Sequence, residues 1–378
     1  MTDLHLAVAL DGLGWHPAAW RTSPVDATAV FTPGYWTQLA READAGLLDF
    51  VTFEDTFGPP GVPGGVTGRL DAVLVASRVA PVTRHVGLVP VATTTHTEPF
   101  HLSTAIATLD YLSSGRAGWQ ARVSGAPAEA ALLGRREIGV GEEQLWDLFD
   151  EAADAVEVVR RLWDSWQDDA VIKDVATGRF IDRDRLHYID FAGKWFSVKG
   201  PSIVPRPPQG QPVIAALAHA GPVYEFAARS ADIVFVTPSS PADAAGLVAQ
   251  VRAAPRDGDP LKIYADLVVF LDEHGSAALA RRARLDDLAG SPVTSDALIF
   301  AGTPEELADL LLTWRDAGLD GFRLRPAALP YDLEAITRLL VPTLQDRGVF
   351  RTAPDAGTLR DRLGLPHAAN RYEGARLG

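Results

Sequence analysis

Eight β-like runs alternating with eight longer helix-like segments predict an α/β chain folded as a (β/α)8 TIM barrel, a closed parallel sheet with its helices outside. Two further observations agree. Most of the β-like runs are nearly continuous apolar stretches, as strands covered on both faces must be. The 378 residues, 47% hydrophobic and 22% charged, suffice for one large core with insertions.

In chain order the strands fall at 4–10, 48–53, 86–91, 117–123, 212–217, 232–236, 262–270 and 321–325. The helices fall at 33–45, 70–79, 99–113, 143–166, 222–229, 241–253, 304–317 and 332–345. Thr32 before Pro33, and Thr303 before Pro304 with Glu306 three residues past the threonine, mark helix starts with a capping residue and proline at the first helical position. The tetrapeptide Asp-Ala-Gly-Leu occurs at 44–47 and again at 316–319, each time ahead of an apolar run, so Gly46 and Gly318 are expected to close helices through left-handed caps. Segments 56–69, 125–142, 170–211 and 346–378 exceed a minimal barrel and read as insertions and a C-terminal extension of one domain spanning 1–378. Loops after strands build the working face of such a barrel, which makes 56–69 and 125–142, after the second and fourth strands, candidate lids. The piece 170–211 alternates aromatic and polar residues around Gly193 and reads either as a hairpin over the barrel mouth or as a surface excursion.

A formal net charge of −14 repels phosphodiester backbones and anionic headgroups, which argues against nucleic acid and membrane as partners and leaves a small-molecule substrate. The absence of cysteine excludes disulfides, thiolate metal ligands and a cysteine nucleophile. No apolar run reaches membrane-spanning length, and the opening MTDLHLAVALDG lacks a basic region followed by an apolar one, so the expected location is cytoplasmic.

Asp55 follows the second strand, Thr93, Thr94 and Thr95 close the third, Gln120 lies on the fourth, and His219 follows the fifth; all stand toward carboxyl ends around one cavity. The plain alternative is that Asp55 caps a loop and the threonines satisfy strand-end backbone groups. His16, His96 and His219 can titrate near neutrality, although a lone histidine is more often a structural hydrogen-bonder. His16 stands out because Trp15, Trp20 and Arg21 lie beside it. Trp15, Trp20, Phe57, Trp119, Phe149 and Trp195 read either as cavity walls for a bulky or aromatic guest or as core. A metal site is not expected: His5 stands alone on the first strand, and Pro99 splits His96, Glu98 and His101 between a loop and a helix start. Neither a GxSxG elbow nor a Walker glycine loop occurs.

Strings along nearly the whole chain carry a family likeness: WHPAAWR at 15–21, FVTFEDTF at 50–57, GLVPVATTTHTEPFHLSTAIATLDYLSSGRAGWQARVS at 87–124 and LWDSWQDDA at 162–170. GKWFSVKGP at 193–201, PPQGQPVI at 207–214, GTPEELAD at 302–309 and GVFRTAPDAGTLRDRLGL at 348–365 follow in order. Together they resemble the luciferase-like flavin monooxygenases, in the branch that includes nitrilotriacetate, dibenzothiophene sulfone and pristinamycin-type enzymes. The resemblance implies a bacterial luciferase-like barrel that uses reduced FMN and oxygen on a small organic substrate, with a separate flavin reductase as partner and a homodimer or homotetramer as the assembly. It also implies that Asp55, Thr93, Thr94, Thr95 and Gln120 hold the flavin ring, that Phe149, His219, Ala220 and Gly221 lie at its phosphate end, and that His16, His96 and Gln120 are the catalytic candidates.

At the phosphate end the sequence departs from that family. The Arg-Tyr pair usual in the helix after the fourth strand falls on Leu148 and Phe149, and the Gly-Ser-Ser turn after the fifth falls on Ala218, His219 and Ala220. Backbone amides near Gly221 and the His219 ring remain for an anion. Losing charge-assisted contacts of roughly 1.5–3 kcal/mol and hydroxyl contacts of about 1 kcal/mol lowers affinity roughly ten- to a thousandfold. The expectation is therefore reduced FMN used as a weakly held co-substrate, or a flavin held by its ring. Gln120 stands where relatives carry Asn and keeps the amide one methylene further out. Two other readings stay open: a deazaflavin-dependent hydride-transfer enzyme on the same barrel, and a flavin-free, non-catalytic relative.

Overall fold

The computed structural model describes residues 4–58, 65–219 and 221–373. Eight parallel strands form the barrel: β1 (His5–Leu10), β2 (Phe50–Phe53), β3 (Gly87–Thr93), β4 (Gly118–Arg122), β5 (Val213–Leu217), β6 (Ile233–Val236), β7 (Lys262–Leu271) and β8 (Gly321–Pro326). The pairing of β6 with β7 and of β8 with β1 closes the ring. Each lies within two residues of its expected place, because a strand buried on both faces announces itself as an uninterrupted apolar run.

Outside lie α1 (Pro33–Ala45), α2 (Ala72–Val79), α3 (Pro99–Ser113), α4 (Glu142–Asp164), α5 (Gly221–Ser230), α6 (Pro241–Ala253) and α7 (Pro304–Asp316). A last helix is built from Tyr331–Ala335, a π-turn Ile336–Leu340 and Val341–Asp346. At α7 the capping box forms as expected, with Thr303 accepting from the Glu306 amide and Glu306 accepting from the Thr303 amide. The left-handed cap expected at Gly46 is displaced by one residue: Gly46 has φ −78° and Leu47 has φ +57°. What requires glycine at 46 is space, since a Cβ there would sit 2.4 Å from Thr337 Cγ2. Gly318, at φ +105°, adopts the positive φ expected of it.

Among the elements that escape the sequence reading are helix Gly275–Ala289 and strand Leu298–Gly302, which pairs with the upper part of β7. The helix buries only Ala278 and Leu285, so it lacks the apolar stripe by which a helix is recognised. Among the described residues no helix is long and apolar enough to cross a membrane.

The insertions decide which end of the barrel is open. The C-terminal extension crosses the amino-terminal face and drives Leu359 and Leu363, both fully buried, into a cluster with Phe50, Val89, Val213, Ile233 and Tyr264. Each such leucine stabilises by roughly 1.5–3 kcal/mol relative to exposure. Gly87 is small because Leu359 fills the space its side chain would occupy, with a methyl group 2.7 Å from the Cβ position. Arg351 pins the extension through Asp49 at 2.6 Å, and Arg362 donates to the Asp49 carbonyl at 3.0 Å. The segment 170–211 forms two short hairpins, Val171–Asp174 with Arg179–Ile181 and Phe191–Ala192 with Ser197–Val198. The second packs Ile189, Phe191, Phe196 and Val198 on Val158 and Leu162 of α4 and on Phe100 of α3. This corrects the hairpin-over-the-mouth reading: the segment follows the end of α4 and clothes the outside of the barrel wall. The carboxyl ends of the strands are left as the working face.

Candidate active site

Inward positions of the strands alternate, and halfway up the barrel their chemistry changes from apolar to charged. Asp266 on β7 lies in register with Arg323 on β8. Arg323 donates from Nε and Nη2 to Asp266 at 2.8 and 2.5 Å, and from Nη1 to Gln120 Oε1 at 2.5 Å and Thr52 Oγ1 at 3.3 Å. Its guanidinium lies 3.8 Å from the centre of the Phe235 ring. Arg325, one layer higher, donates to Asp266 at 3.0 Å and to Asp296 at 2.6 Å, and stands 4.5 Å from the centre of a Trp15 ring. Asp296 in turn lies 3.4 Å from His219 Nε2 at the rim. Burial pushes Asp266 up, but the two guanidiniums outweigh it and hold the carboxyl below its ordinary range. Burial likewise raises Asp296, and the hydrogen bond and charge of Arg325 overcome that and bring it down to about 2. Both acids are thus ionised, and the fully buried arginines are compensated.

Around the rim, the inserted helix Pro127–Leu133 places Glu129 as a clamp between two loops. Its carboxylate accepts from Arg122 at 3.0 and 3.1 Å, from Ser124 Oγ at 2.5 Å, and from the Thr56 hydroxyl. Burial raises the Glu129 carboxyl, and these donors together bring it down to about 2. Beside the clamp stands His96, in a left-handed backbone at φ +68° and with both ring nitrogens buried without a hydrogen-bond partner. Its ring meets Phe57 edge-on at 6.4 Å, and its carbonyl accepts from Arg135 at 2.9 Å. Burial, then the charges of Arg136 and Arg135, push its pKa down, so the ring is neutral.

A side cavity of about 200 Å3 opens beside the mouth, between the loop after β1, α1, the end of β2 and α2. Trp15, Trp20, Trp36, Phe53 and Val75 wall it, and Asp11 and Glu54 supply its acids. Arg69 holds Asp11 at 2.8 Å. Glu54 accepts from Thr52 Oγ1 at 3.2 Å and lies 3.5 Å from Arg323. Burial raises both carboxyls above their ordinary range.

The residues singled out by sequence fall into distinct places. Asp55 is not the waiting acceptor expected of it: one oxygen accepts from the Thr56 amide at 2.7 Å and the other from the Ala72 amide at 2.9 Å, which fastens the loop to α2. The threonines likewise serve the strand ends. Thr94 donates to the Arg122 carbonyl at 3.1 Å, Thr95 accepts from the Ser124 amide at 3.0 Å, and Thr93 accepts from Arg122 at 3.4 Å. Gln120 lies in the charged layer, and its amide nitrogen has no hydrogen-bond partner among the described residues. His16 is buried and locked, accepting from the Ala18 amide at Nδ1 and meeting Asp286 at Nε2, both at 3.1 Å. Phe149 packs on Phe226, and Leu148 is buried with Ala130 and Ile138, so neither offers a polar contact. His219 is exposed and meets Thr237 at 3.2 Å; Gly221 opens α5, and Ala220 lies outside the described residues.

Of the aromatics expected as walls, Trp15 and Trp20 line the side cavity, joined by Trp36 and Phe53, which the sequence reading missed. Phe57 stands against His96 at the rim. Trp119 instead faces outward into the core between barrel and helices, and Trp195 lies on the outer hairpin, where its Nε1 donates to Asp147 at 3.4 Å. Also missed were Asp11, Glu54, Asp266, Arg323 and Arg325. For the last three a signal was present: charges inside the apolar runs KIYADLVVFL and GFRLRP, which a merely structural buried strand has no use for.

A family model described as luciferase-like monooxygenase matches residues 13–321. N-acetyl-S-(2-succino)cysteine monooxygenase of Bacillus subtilis is 30% identical, with 98% of each chain covered. Dibenzothiophene-sulfone monooxygenase of Rhodococcus erythropolis is 31% identical over 92% of this chain and 93% of its own. The crystal structure of a long-chain alkane monooxygenase superposes with a TM-score of 0.86 at 24% identity, covering 96% of each chain.

Proposed function

We propose, given that this chain belongs to the luciferase-like monooxygenase family and is an enzyme of it, that it takes reduced FMN from a separate reductase at the barrel mouth and oxygenates a flat, aromatic guest. The observation that carries the flavin part is His96. Buried polar atoms without partners are rare, and a strained backbone beside a mouth is where a ligand's partners are kept waiting. A neutral imidazole donates from one nitrogen and accepts at the other, which suits the mixed edge of a flavin ring, and the unpartnered amide nitrogen of Gln120 adds a donor. The residues present therefore fit the ring of the cofactor.

When bound, reduced flavin supplies the electrons that activate oxygen. The chain supplies the surroundings. Arg323 and Arg325, paired with Asp266 and Asp296, hold fixed guanidinium groups below the mouth without reorganisation. Glu129 holds the loops after β2 and β4 together and so limits water at the rim. At the phosphate end, the apolar packing of Leu148 and Phe149 supports weak holding, with His219 and the start of α5 as the remaining contacts. A flat guest is supported by the indole walls beside the mouth and by the dibenzothiophene-sulfone relative.

The test is an anaerobic titration of purified protein with reduced FMN, followed by admission of oxygen. The expected result is protein that leaves gel filtration without flavin, binds reduced FMN saturably and consumes oxygen with it. Stoichiometric FMN surviving gel filtration overturns weak holding. Binding of reduced deazaflavin but not of reduced FMN moves the chain to hydride transfer, and binding of neither overturns the flavin reading.

A further inference from the structure

The side cavity has an uneven charge that the barrel mouth lacks. Asp11 and Glu54 stand against one guanidinium, Arg69, and that guanidinium is bound to Asp11. Arg323 and Arg325 behind it are committed to Asp266 and Asp296. His16, also on the wall, has both ring nitrogens engaged. One carboxylate oxygen of Glu54 has no hydrogen-bond partner among the described residues.

Among its described lining residues the cavity presents acceptors and no cation that lacks an acidic partner. A carboxylate guest would be desolvated beside two acids with nothing to pair with, a cost of several kcal/mol. A guest with a positive nitrogen meets an acceptor at Glu54, while the indoles of Trp15, Trp20 and Trp36 offer flat apolar contact to its ring, the first two already carrying Arg325 and Arg21 at 4.5 and 5.4 Å. The net charge of −14 draws cations toward the protein from a distance. Burial raises both carboxyls by more than Arg69 and Arg323 lower them, and an ammonium group beside them acts in the lowering direction.

We propose that this cavity is the substrate subsite, that it takes a flat aromatic compound bearing a protonated amine, and that Glu54 selects for the amine and against carboxylates. The proposal rests on the monooxygenase reading for its purpose, but its binding preference is independent of flavin.

The test is calorimetric titration of the full chain with three probes sharing one ring: tryptamine, 3-ethylindole and indole-3-propionate. Tryptamine is expected to bind at least tenfold more tightly than indole-3-propionate, with 3-ethylindole between them. Glu54→Gln is expected to abolish the advantage of tryptamine over 3-ethylindole while leaving 3-ethylindole within about twofold. Indole-3-propionate binding as tightly as tryptamine overturns the proposal, as does an unchanged preference in Glu54→Gln. If that variant does not fold, the order of the probes on the natural chain decides. No probe binding while reduced FMN still binds sinks the subsite and spares the flavin reading; probes binding in the expected order with no flavin bound does the reverse.

Discussion

The two ends of the barrel interior are made by the same eight strands with the same alternation, yet they hold opposite contents. Toward the amino-terminal end the inward positions carry Phe50, Val89, Val213, Ile233 and Tyr264, stoppered by Leu359 and Leu363. Toward the carboxyl end they carry Thr52, Gln120, Asp266, Arg323 and Arg325. A buried ion network is a poor way to stabilise a fold, because desolvating the charges cancels most of what pairing returns. The lower half therefore accounts for stability, and the upper half for fixed charge beneath a site.

Breaking each half separates these roles. Asp266→Ala takes the shared carboxylate from two buried guanidiniums, leaving Arg325 only Asp296, and is expected to destabilise the protein by about 3–5 kcal/mol, read by chemical denaturation. Leu363→Ala in the lower plug is expected to cost about 2–5 kcal/mol through the cavity it leaves, while the folded fraction binds reduced FMN as before. The sharper comparison is the combined variant Asp266→Leu, Arg323→Met, Arg325→Leu. Its stability should fall within about 2 kcal/mol of the natural chain, and its oxygen consumption with reduced FMN should vanish. Full turnover in that variant would show that the charged half is structural after all.

The rim offers a smaller effect with a definite sign in pH. Glu129 is held near a pKa of about 2 against an ordinary 4.5, so its clamp contributes fully above pH 4.5 and loses that contribution as pH falls toward 2. The shift corresponds to roughly 3 kcal/mol as an upper figure. The stability difference between the natural chain and Glu129→Gln should shrink across that interval when unfolding is followed at successive pH values. A difference that stays constant with pH would mean that the carboxylate's charge does not hold the two loops.

How much of this was legible in sequence follows from which signals are one-dimensional. A strand buried on both faces is a run of apolar letters, so all eight were placed; helix Gly275–Ala289, with two buried residues, leaves no such trace. Which polar side chains stand toward the open end of the barrel was legible because carboxyl ends of strands can be counted. Individual roles were not. Asp55 and Thr94 look like ligand groups until the amides and carbonyls they serve are seen, and those partners lie 17 and 28 residues away. Trp119 and Trp15 look alike in sequence, and strand alternation sends the first into the core while the second lines the cavity. Arg323 and Arg325 were overlooked because an apolar run was read for its hydrophobicity and not for its exceptions.

The smallest expected effect lies at the outer edge of the charged half. His219 is exposed, and its contacts to Thr237 and Asp296 are those of a surface pair, so His219→Ala should change stability by no more than about 0.5 kcal/mol. If the ring stands at the phosphate end, the same substitution weakens reduced FMN several-fold and leaves reduced riboflavin, which has no phosphate, unchanged. Equal weakening of both would place His219 against the ring system instead. The contrast with Asp266→Ala is then complete: deep in the mouth a single charged partner cannot be removed without harming the fold, whereas at the rim a polar side chain can be removed with an effect confined to the ligand's anionic tail.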